Sequence, residues 1–389
     1  MEPDHKDARC HQIRTAVFGL VVLTLGMGIG RFLYTPMLPV MLHEGLFTFS
    51  QLSLIASANY AGYLFGSLLF SFGVFNRLAH LKAMLLVVAL ITGLLILLMA
   101  VVTIPEVVIL IRFLAGVASA GMMIFGAMLV LQHSHHPAVV ASLFSGVGVG
   151  IFIGNEYVIA GVAHLLSAKM LWLGASFISG VLLTVMWILL PRDAHIPKAM
   201  AQSVKADNSI QWWLLALLYG LAGFGYIIVA TYLPVMAKGL GETFIAEHIW
   251  SVVGLAVIPG CYGWLWAAGK WKLLPCLSIN LIVQACCVVL AAMTHSSILL
   301  ALGCIGFGAT FMGTSSLVMP LAKKLNAPQK VNLLGLVTLT YGVGQIAGPL
   351  MVSVFDSRGQ SLTGPTLLGA GALFIAAGIS HLQYRKTKS

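Results

Sequence analysis

Long apolar runs alternate with short polar segments along the whole chain. Each run holds about 20–25 residues, enough for a helix to cross a hydrocarbon core of about 30 Å. The pattern predicts twelve membrane-spanning helices, at 14–42, 50–73, 83–103, 107–131, 138–163, 169–190, 211–238, 247–268, 272–293, 297–322, 331–355 and 365–384.

Composition supports this interpretation. Hydrophobic residues make up 59% of the 389 residues and charged residues only 8%, against roughly a quarter in soluble domains. So few charges could not cover the surface of a soluble globule of this length. We therefore expect an all-α membrane protein embedded in a lipid bilayer.

A repeated stretch divides the chain into two halves. Residues 28–41 (GIGRFLYTPMLPVM) and 223–236 (GFGYIIVATYLPVM) share Gly-x-Gly and Leu-Pro-Val-Met at an offset of 195. Residues 148–155 (GVGIFIGN) match 342–349 (GVGQIAGP) at an offset of 194. Such parallel repeats are related by an axis along the membrane normal. They predict two pseudo-symmetric six-helix bundles, with domains at 1–190 and 211–389 and a cytoplasmic central loop at 191–210.

Basic residues are distributed unequally between the two sides of the membrane. Of the 21 Lys and Arg, only Lys169, Lys238 and Arg358 fall in loops opposite the termini, and Arg31 and Arg112 fall within helices. The positive-inside rule places both termini and the central loop in the cytoplasm. We expect a bacterial inner-membrane protein, and we attribute the net charge of +10 to topology rather than to nucleic-acid binding.

Three charged residues lie inside the predicted helices and away from their ends, and all are in the N-terminal half: Arg31, Arg112 and Glu156. A charge at a helix centre costs about 2.5–3.5 kcal/mol or more, so it normally faces protein or a wet cavity. The helical rise places all three in the outer half of the bundle. We expect Glu156 to pair with Arg31 or Arg112 and to couple transport to protons; a static ion pair that fixes helix packing is the alternative.

Other polar and aromatic residues in the apolar helices complete a predicted substrate site. Two arginines against one glutamate make the cavity slightly positive, which favours an anionic or zwitterionic small-molecule substrate. The predicted substrate-binding residues are Arg31, Tyr34, Asn59, Tyr63, Arg112, Tyr226, Tyr341 and Gln345.

Glycine and proline recur inside the predicted helices. The Gly-x-Gly pairs follow no strand, which excludes a nucleotide-binding loop. Small residues allow close helix approach, and Gly and Pro favour bending. The residues predicted to serve packing or bending are Gly28, Gly30, Pro36, Pro39, Gly150, Gly154, Pro234, Gly344, Gly348 and Pro349.

Candidate catalytic and metal-binding sets are weak. His133, His135 and His136 form a His-rich loop, for which a solvated turn and a metal site are both open interpretations. The six cysteines lack the paired spacing of a zinc site, and the chain has neither a Ser–His–Asp set nor a Walker loop. We expect neither enzymatic activity nor a cofactor.

Several motifs resemble the major facilitator superfamily, and more narrowly its YbfB/YjiJ branch. Arg112-x-x-Ala115-Gly116 resembles the fourth-helix motif of the superfamily, and the glycine-rich fifth helix resembles the antiporter motif, with Gly154-Asn155 where Gly-Pro is usual. The loop motif after the second helix has Asn76-Arg77 in place of Asp-Arg. The branch resemblance rests on 28–41, on 57–69 (SANYAGYLFGSLL) and on 341–350 (YGVGQIAGPL). It implies a twelve-helix fold with alternating access.

These observations favour a secondary active transporter of a small solute, working by alternating access as a proton-coupled exporter and as a monomer. A broad-specificity drug efflux carrier is an alternative, supported by the aromatic and Met content. A non-transporting receptor or scaffold is a third hypothesis, although the longest polar stretch has only about 20 residues.

Overall fold

The computed structural model describes residues 5–72, 78–191, 209–238, 243–294, 296–325, 331–356 and 362–387. The predicted loop residues 192–208 and Asn76-Arg77 lie outside these ranges. The helices are α1 His5–Leu23, a π-helix Thr24–Phe32, α2 Tyr34–His43, α3 Phe49–Phe70, α4 Leu78–Val101, α5 Pro105–His133, α6 Pro137–Ala163, α7 Ala168–Leu189, α8 Trp212–Lys238, α9 Thr243–Trp271, α10 Leu273–Met293, α11 Ser297–Lys324, α12 Leu333–Asp356 and α13 Thr363–Lys386.

The described helices confirm the predicted fold class. Eleven are long and apolar enough to cross a membrane, with α1, the π-helix and α2 forming one span. A shorter apolar stretch at Leu333–Gly348 lies within α12, at the predicted span 331–355. Helix α4 exposes Val87, Leu90 and Leu94, each more than half accessible, as expected of a helix facing lipid.

The first span departs from the continuous α-helix that the sequence predicts. Nine residues, Thr24–Phe32, adopt π-helical hydrogen bonding, and all nine are buried. Gly26, Gly28 and Gly30 fall within this segment, and glycine weakens the α-helix by about 1 kcal/mol relative to alanine. π-helical segments are rare and often lie at functional sites. Arg31 is near the end of this one.

The same close helix crossing occurs in both halves. A Cβ built on Gly28 would lie 2.4 Å from the Cα of Gly150, so the π-helix and α6 touch backbone to backbone. In the second half, a Cβ on Gly344 would lie 2.9 Å from the carbonyl carbon of Gly223, so α8 and α12 also touch backbone to backbone. These residues occupy equivalent positions in the repeat. Any larger residue would force the crossing apart.

The two halves contact each other near both ends of the helices. At the predicted cytoplasmic end, the backbone N–H of Asn332 donates to the carbonyl of Ser71 at 2.7 Å, and its side-chain amide donates to the carbonyl of Phe70 at 3.1 Å. At the other end, the Asn155 amide of α6 donates to the Glu247 carbonyl of α9 at 3.0 Å. The candidate site lies between these two contacts.

Candidate substrate site between the halves

A hydrogen-bonded chain joins the two halves at the centre. Arg31 is only 3% exposed, and its Nη2 donates to Oε1 of Gln345 on α12 at 2.8 Å. The same Gln345 donates through Nε2 to the hydroxyl of Tyr226 on α8. Three predicted substrate-binding residues therefore meet directly, and the N-terminal half supplies the cation.

The charge of Arg31 lies among aromatic rings. Its guanidinium carbon lies 4.2 Å from the ring centre of Tyr63 and 5.4 Å from that of Tyr60. No described residue gives Nε or Nη1 a partner with hydrogen-bond geometry. The described part of the chain also places no carboxylate in salt-bridge contact with this side chain. Burying an unpaired charge is costly, and two donor nitrogens of Arg31 are left for a further acceptor.

Parallel aromatic rings form the opposite wall of the site. Tyr226 stacks on Phe311 and Tyr341 with ring centres 5.6 Å and 5.2 Å apart, and its plane is within 17° of both. Tyr341 stacks in turn on Tyr219 at 4.4 Å, and Phe307 stacks on Phe311 at 5.5 Å. We call these five rings the aromatic stack. All of them belong to the C-terminal half.

A second group of predicted residues lies behind Arg31, inside the N-terminal half. Arg112 is 3% exposed and donates to the carbonyls of Gly30 and Arg31 at 3.1 and 3.2 Å, at the end of the π-helix. Asn59 donates to the Arg112 carbonyl, and the Tyr34 ring lies 4.8 Å from the Arg112 guanidinium. Arg112 thus holds the backbone that carries Arg31.

The expected ion pair between Glu156 and Arg31 or Arg112 is wrong. Glu156 accepts a hydrogen bond from Ser251 and lies 2.8 Å from Nδ1 of His248, both on α9. Gly154, which contacts Leu33 of the first span, is two residues earlier. Since each residue turns an α-helix by about 100°, Glu156 points away from the arginines.

The contact between α6 and α9 contains residues that the sequence-based prediction missed. Asn155 is 4% exposed and donates to the hydroxyl of Ser251 at 2.9 Å as well as to the Glu247 carbonyl. His248 was overlooked because it stands at the predicted start of its helix, where a polar residue usually marks the boundary. The sequence did give a signal at Asn155, because the equivalent position in the other half of the repeat is a proline, Pro349.

The remaining predicted positions are distributed along the helices. A Cβ on Gly30 would lie 2.8 Å from Thr92, and one on Gly348 would lie 2.4 Å from Ile227. Pro39 lies inside α2, and Pro36 lies near its start. The side chains of Pro234 and Pro349 are outside the part of the chain that the structure describes.

The His-rich loop is arranged as a helix connection. Nδ1 of His133 lies 2.9 Å from the Leu129 carbonyl, one turn back on α5. His136 accepts from the backbone N–H of Ala138 and caps α6. Among the described residues, no three potential ligands are grouped as a metal site would require.

Among the described residues, eleven apolar helices of membrane-spanning length and one shorter apolar helix surround a buried polar site, which fits the architecture of a major facilitator transporter. The chain belongs to the family described as uncharacterised MFS-type transporter YbfB, whose model matches residues 23–381. The family resemblance of the sequence is thereby confirmed, and the chain is a multi-pass membrane protein of a transporter family. A search of curated proteins finds no match.

Proposed function

We propose that this protein is a secondary active transporter that exports a small anionic solute by alternating access. The observation that carries the proposal is Arg31, a cation that is 3% exposed between the two halves and has no carboxylate partner among the described residues. A substrate anion would supply the missing charge. Charge-assisted hydrogen bonds are roughly twice as strong as neutral ones.

The link between Arg31 and Gln345 provides a mechanism for coupling binding to movement. It joins the halves through a neutral amide, which is a weaker acceptor for a guanidinium than a carboxylate or phosphate. A bound anion competes for the guanidinium and releases Gln345. The two halves then lose a central contact, and the substrate shifts the population of states by its differential affinity.

Glu156 is the proposed proton-coupling residue, acting at the contact between α6 and α9. Its side chain is about one-third exposed and joins the halves through His248 and Ser251. A proton added to the carboxylate removes its charge and one acceptor position, which weakens this contact. Protons arriving from outside would therefore favour the outward-open state, in which an exporter releases its solute.

The anion site is tested by thermal unfolding of the purified protein with matched small anions, cations and neutral solutes. Anions should raise the melting temperature, and Arg31→Gln should weaken their binding about 10- to 150-fold, the range for losing a hydrogen bond to a charged group. Lys169→Gln, which removes an exposed charge, is the matched control. Equal anion binding by Arg31→Gln would refute the proposal.

Proton coupling is tested in proteoliposomes with an imposed pH gradient and the anion that binds best. The gradient should drive flux through the parent but not through Glu156→Gln. Glu247→Gln, an exposed carboxylate on the same turn as His248, should behave like the parent. If Glu156→Gln couples like the parent, Glu156 has no role in proton movement.

Broad drug efflux remains a second candidate because of one observation, the aromatic stack. Stacked rings accept many apolar compounds without requiring a charge. This function predicts that hydrophobic cations and neutral compounds stabilise the parent and Arg31→Gln equally. It also predicts resistance to several unrelated compounds when the protein is overproduced, whereas a dedicated carrier confers resistance to one.

A further inference from the structure

The central site has two chemically different walls. The N-terminal half presents Arg31, whose Nε and Nη1 are without described hydrogen-bond partners. The C-terminal half presents the aromatic stack, with Tyr226 nearest to the arginine through Gln345. A ligand that lies between the halves must match both walls at once.

We infer that the substrate is a small aromatic carboxylate, with its carboxylate on Arg31 and its ring against the aromatic stack. This inference rests on the proposed function, because it names the chemical class of the anion that the same site binds. It adds a requirement for a planar ring, which an anion site alone does not impose.

The geometry of Arg31 selects a planar, two-oxygen anion. A guanidinium presents its N–H donors in a rigid planar fork that matches both oxygens of a carboxylate. Among the described residues, Nη2 is engaged by the neutral amide of Gln345, while Nε and Nη1 have no partner with hydrogen-bond geometry. A carboxylate that displaces this amide gains bonds from Nη2 and from a previously unpaired nitrogen.

The aromatic stack selects the other end of the ligand. The rings of Tyr226 and Phe311 are within 4° of parallel, and those of Tyr226 and Tyr341 are within 17°. A ligand ring that takes the place of Gln345 meets Tyr226 at its hydroxyl end, where offset-stacked and edge-to-face contacts with the rings are both favourable. An aliphatic ring of the same size would bury similar area but would lack the ring quadrupole.

In this state the two walls are one amide group apart, so a ligand ring can lie between them once Gln345 has moved and the halves have separated. A single amide group, that of Gln345, reaches from the Arg31 guanidinium to the Tyr226 hydroxyl. A carboxylate attached directly to a ring has the same planar, three-atom head. When it takes the place of that amide on Arg31, its ring is directed toward Tyr226.

The inference is tested with three probes of nearly equal size: benzoate, cyclohexanecarboxylate and benzamide. Their dissociation constants are measured by calorimetry or thermal unfolding on the purified full-length protein, at constant ionic strength. Benzoate should bind about 2- to 12-fold more tightly than cyclohexanecarboxylate, the range for an aromatic pair beyond its buried area. Benzamide, which lacks the charge, should bind more weakly than benzoate.

Two substitutions at one position locate the effect. Tyr226→Phe keeps the ring and should keep the preference for benzoate over cyclohexanecarboxylate within about twofold. Tyr226→Leu removes the ring and should abolish the preference, while both anions still depend on Arg31. The preference measured in the parent is decisive even if Tyr226→Leu does not fold.

The outcomes separate the two proposals. Equal binding of benzoate and cyclohexanecarboxylate to the parent, with both lost in Arg31→Gln, overturns the aromatic class and keeps the anion site. A preference for benzoate that persists in Tyr226→Leu also overturns the assignment to the aromatic stack. If neither anion binds more tightly than benzamide, and other anions in the wider panel fail as well, the proposed anion transport is wrong too.

Discussion

The two halves of this protein share a helix crossing but differ in the chemistry they place beside it. In the N-terminal half, Gly28 meets Gly150, and Arg31 follows three residues later. In the C-terminal half, Gly223 meets Gly344, and Tyr226 stands at the position of Arg31. The repeated positions preserve backbone contact. The unshared position distinguishes a cationic wall from an aromatic one.

Buried polar groups show the same contrast. The N-terminal half buries two arginines that have only neutral described partners. The C-terminal half buries Asn280, which donates to the Thr310 carbonyl and accepts from Thr314, so its polar groups satisfy one another. A polar network that is satisfied internally stabilises its own bundle. A charge that is not satisfied internally is available to a ligand.

The largest loss of stability is expected from substitutions at the glycine helix crossing that both halves share. Gly28→Ala and Gly223→Ala each place a Cβ 2.3–2.4 Å from backbone atoms, Gly150 in one case and Tyr341 in the other. Because backbone cannot move aside cheaply, each should cost about 1–3 kcal/mol. Thermal unfolding in detergent should show similar drops in melting temperature for the two variants.

Gly93→Ala is the matched control for this pair. A Cβ at Gly93 on α4 has no atom within 4 Å, and alanine is the better helix former. It should leave stability unchanged or raise it slightly. A large loss in Gly28→Ala with none in Gly223→Ala would show that the two crossings are not equivalent.

A smaller effect is expected where the halves meet through Asn155. Asn155→Ala removes two hydrogen bonds to α9, each worth about 0.5–1.5 kcal/mol. The outer contact should loosen, so the population with separated outer ends should increase. This increase can be detected by electron–electron distance measurements between spin labels at Leu165 and Phe244, which are both exposed. The exposed Cys10 and Cys286 are first replaced, so that they do not take up label.

Asn280→Ala serves as the control for that measurement. Asn280 is also fully buried and hydrogen-bonded, but its described partners Thr310 and Thr314 are both in its own half. The distance between the outer labels should then remain as in the parent. If both variants widen the distance equally, Asn155 does not act as a specific contact between the halves.

The sequence predicted the helices of this protein better than it predicted the contacts between their side chains. Apolar run length identified the helices, and polar residues in apolar runs drew attention to Arg31, Tyr226 and Gln345, which the structure brings into contact. The partner of Glu156 depends on which way the side chain points around α6, and depth along the helix does not determine that. The π-helix was also missed, because the glycines of this segment weaken an α-helix but do not by themselves specify π-helical hydrogen bonding.

The smallest predicted effect is a change in the pH dependence of stability. It arises at the cytoplasmic end, where a histidine of one half faces lysines of the other. Partial burial lowers the pKa of His135, and the charges of Lys323 and Lys324 lower it further. The unfolded chain therefore binds this proton more readily than the folded one. The associated stability is present above about pH 6.5, the ordinary histidine value, and is lost as pH falls below it.

His135→Gln should accordingly flatten the loss of stability between about pH 7 and pH 5, by a small amount because the side chain is partly exposed and screened by solvent. This expectation is checked by measuring melting temperatures across this pH range for the parent, for His135→Gln and for the control His164→Gln, which changes an exposed histidine. A slope in His135→Gln equal to that of the parent would mean that the histidine does not sense the lysines. A flatter slope would show that protonated His135 and the two lysines repel each other across the halves. The cytoplasmic end would then respond to pH, as is proposed for Glu156 at the other end.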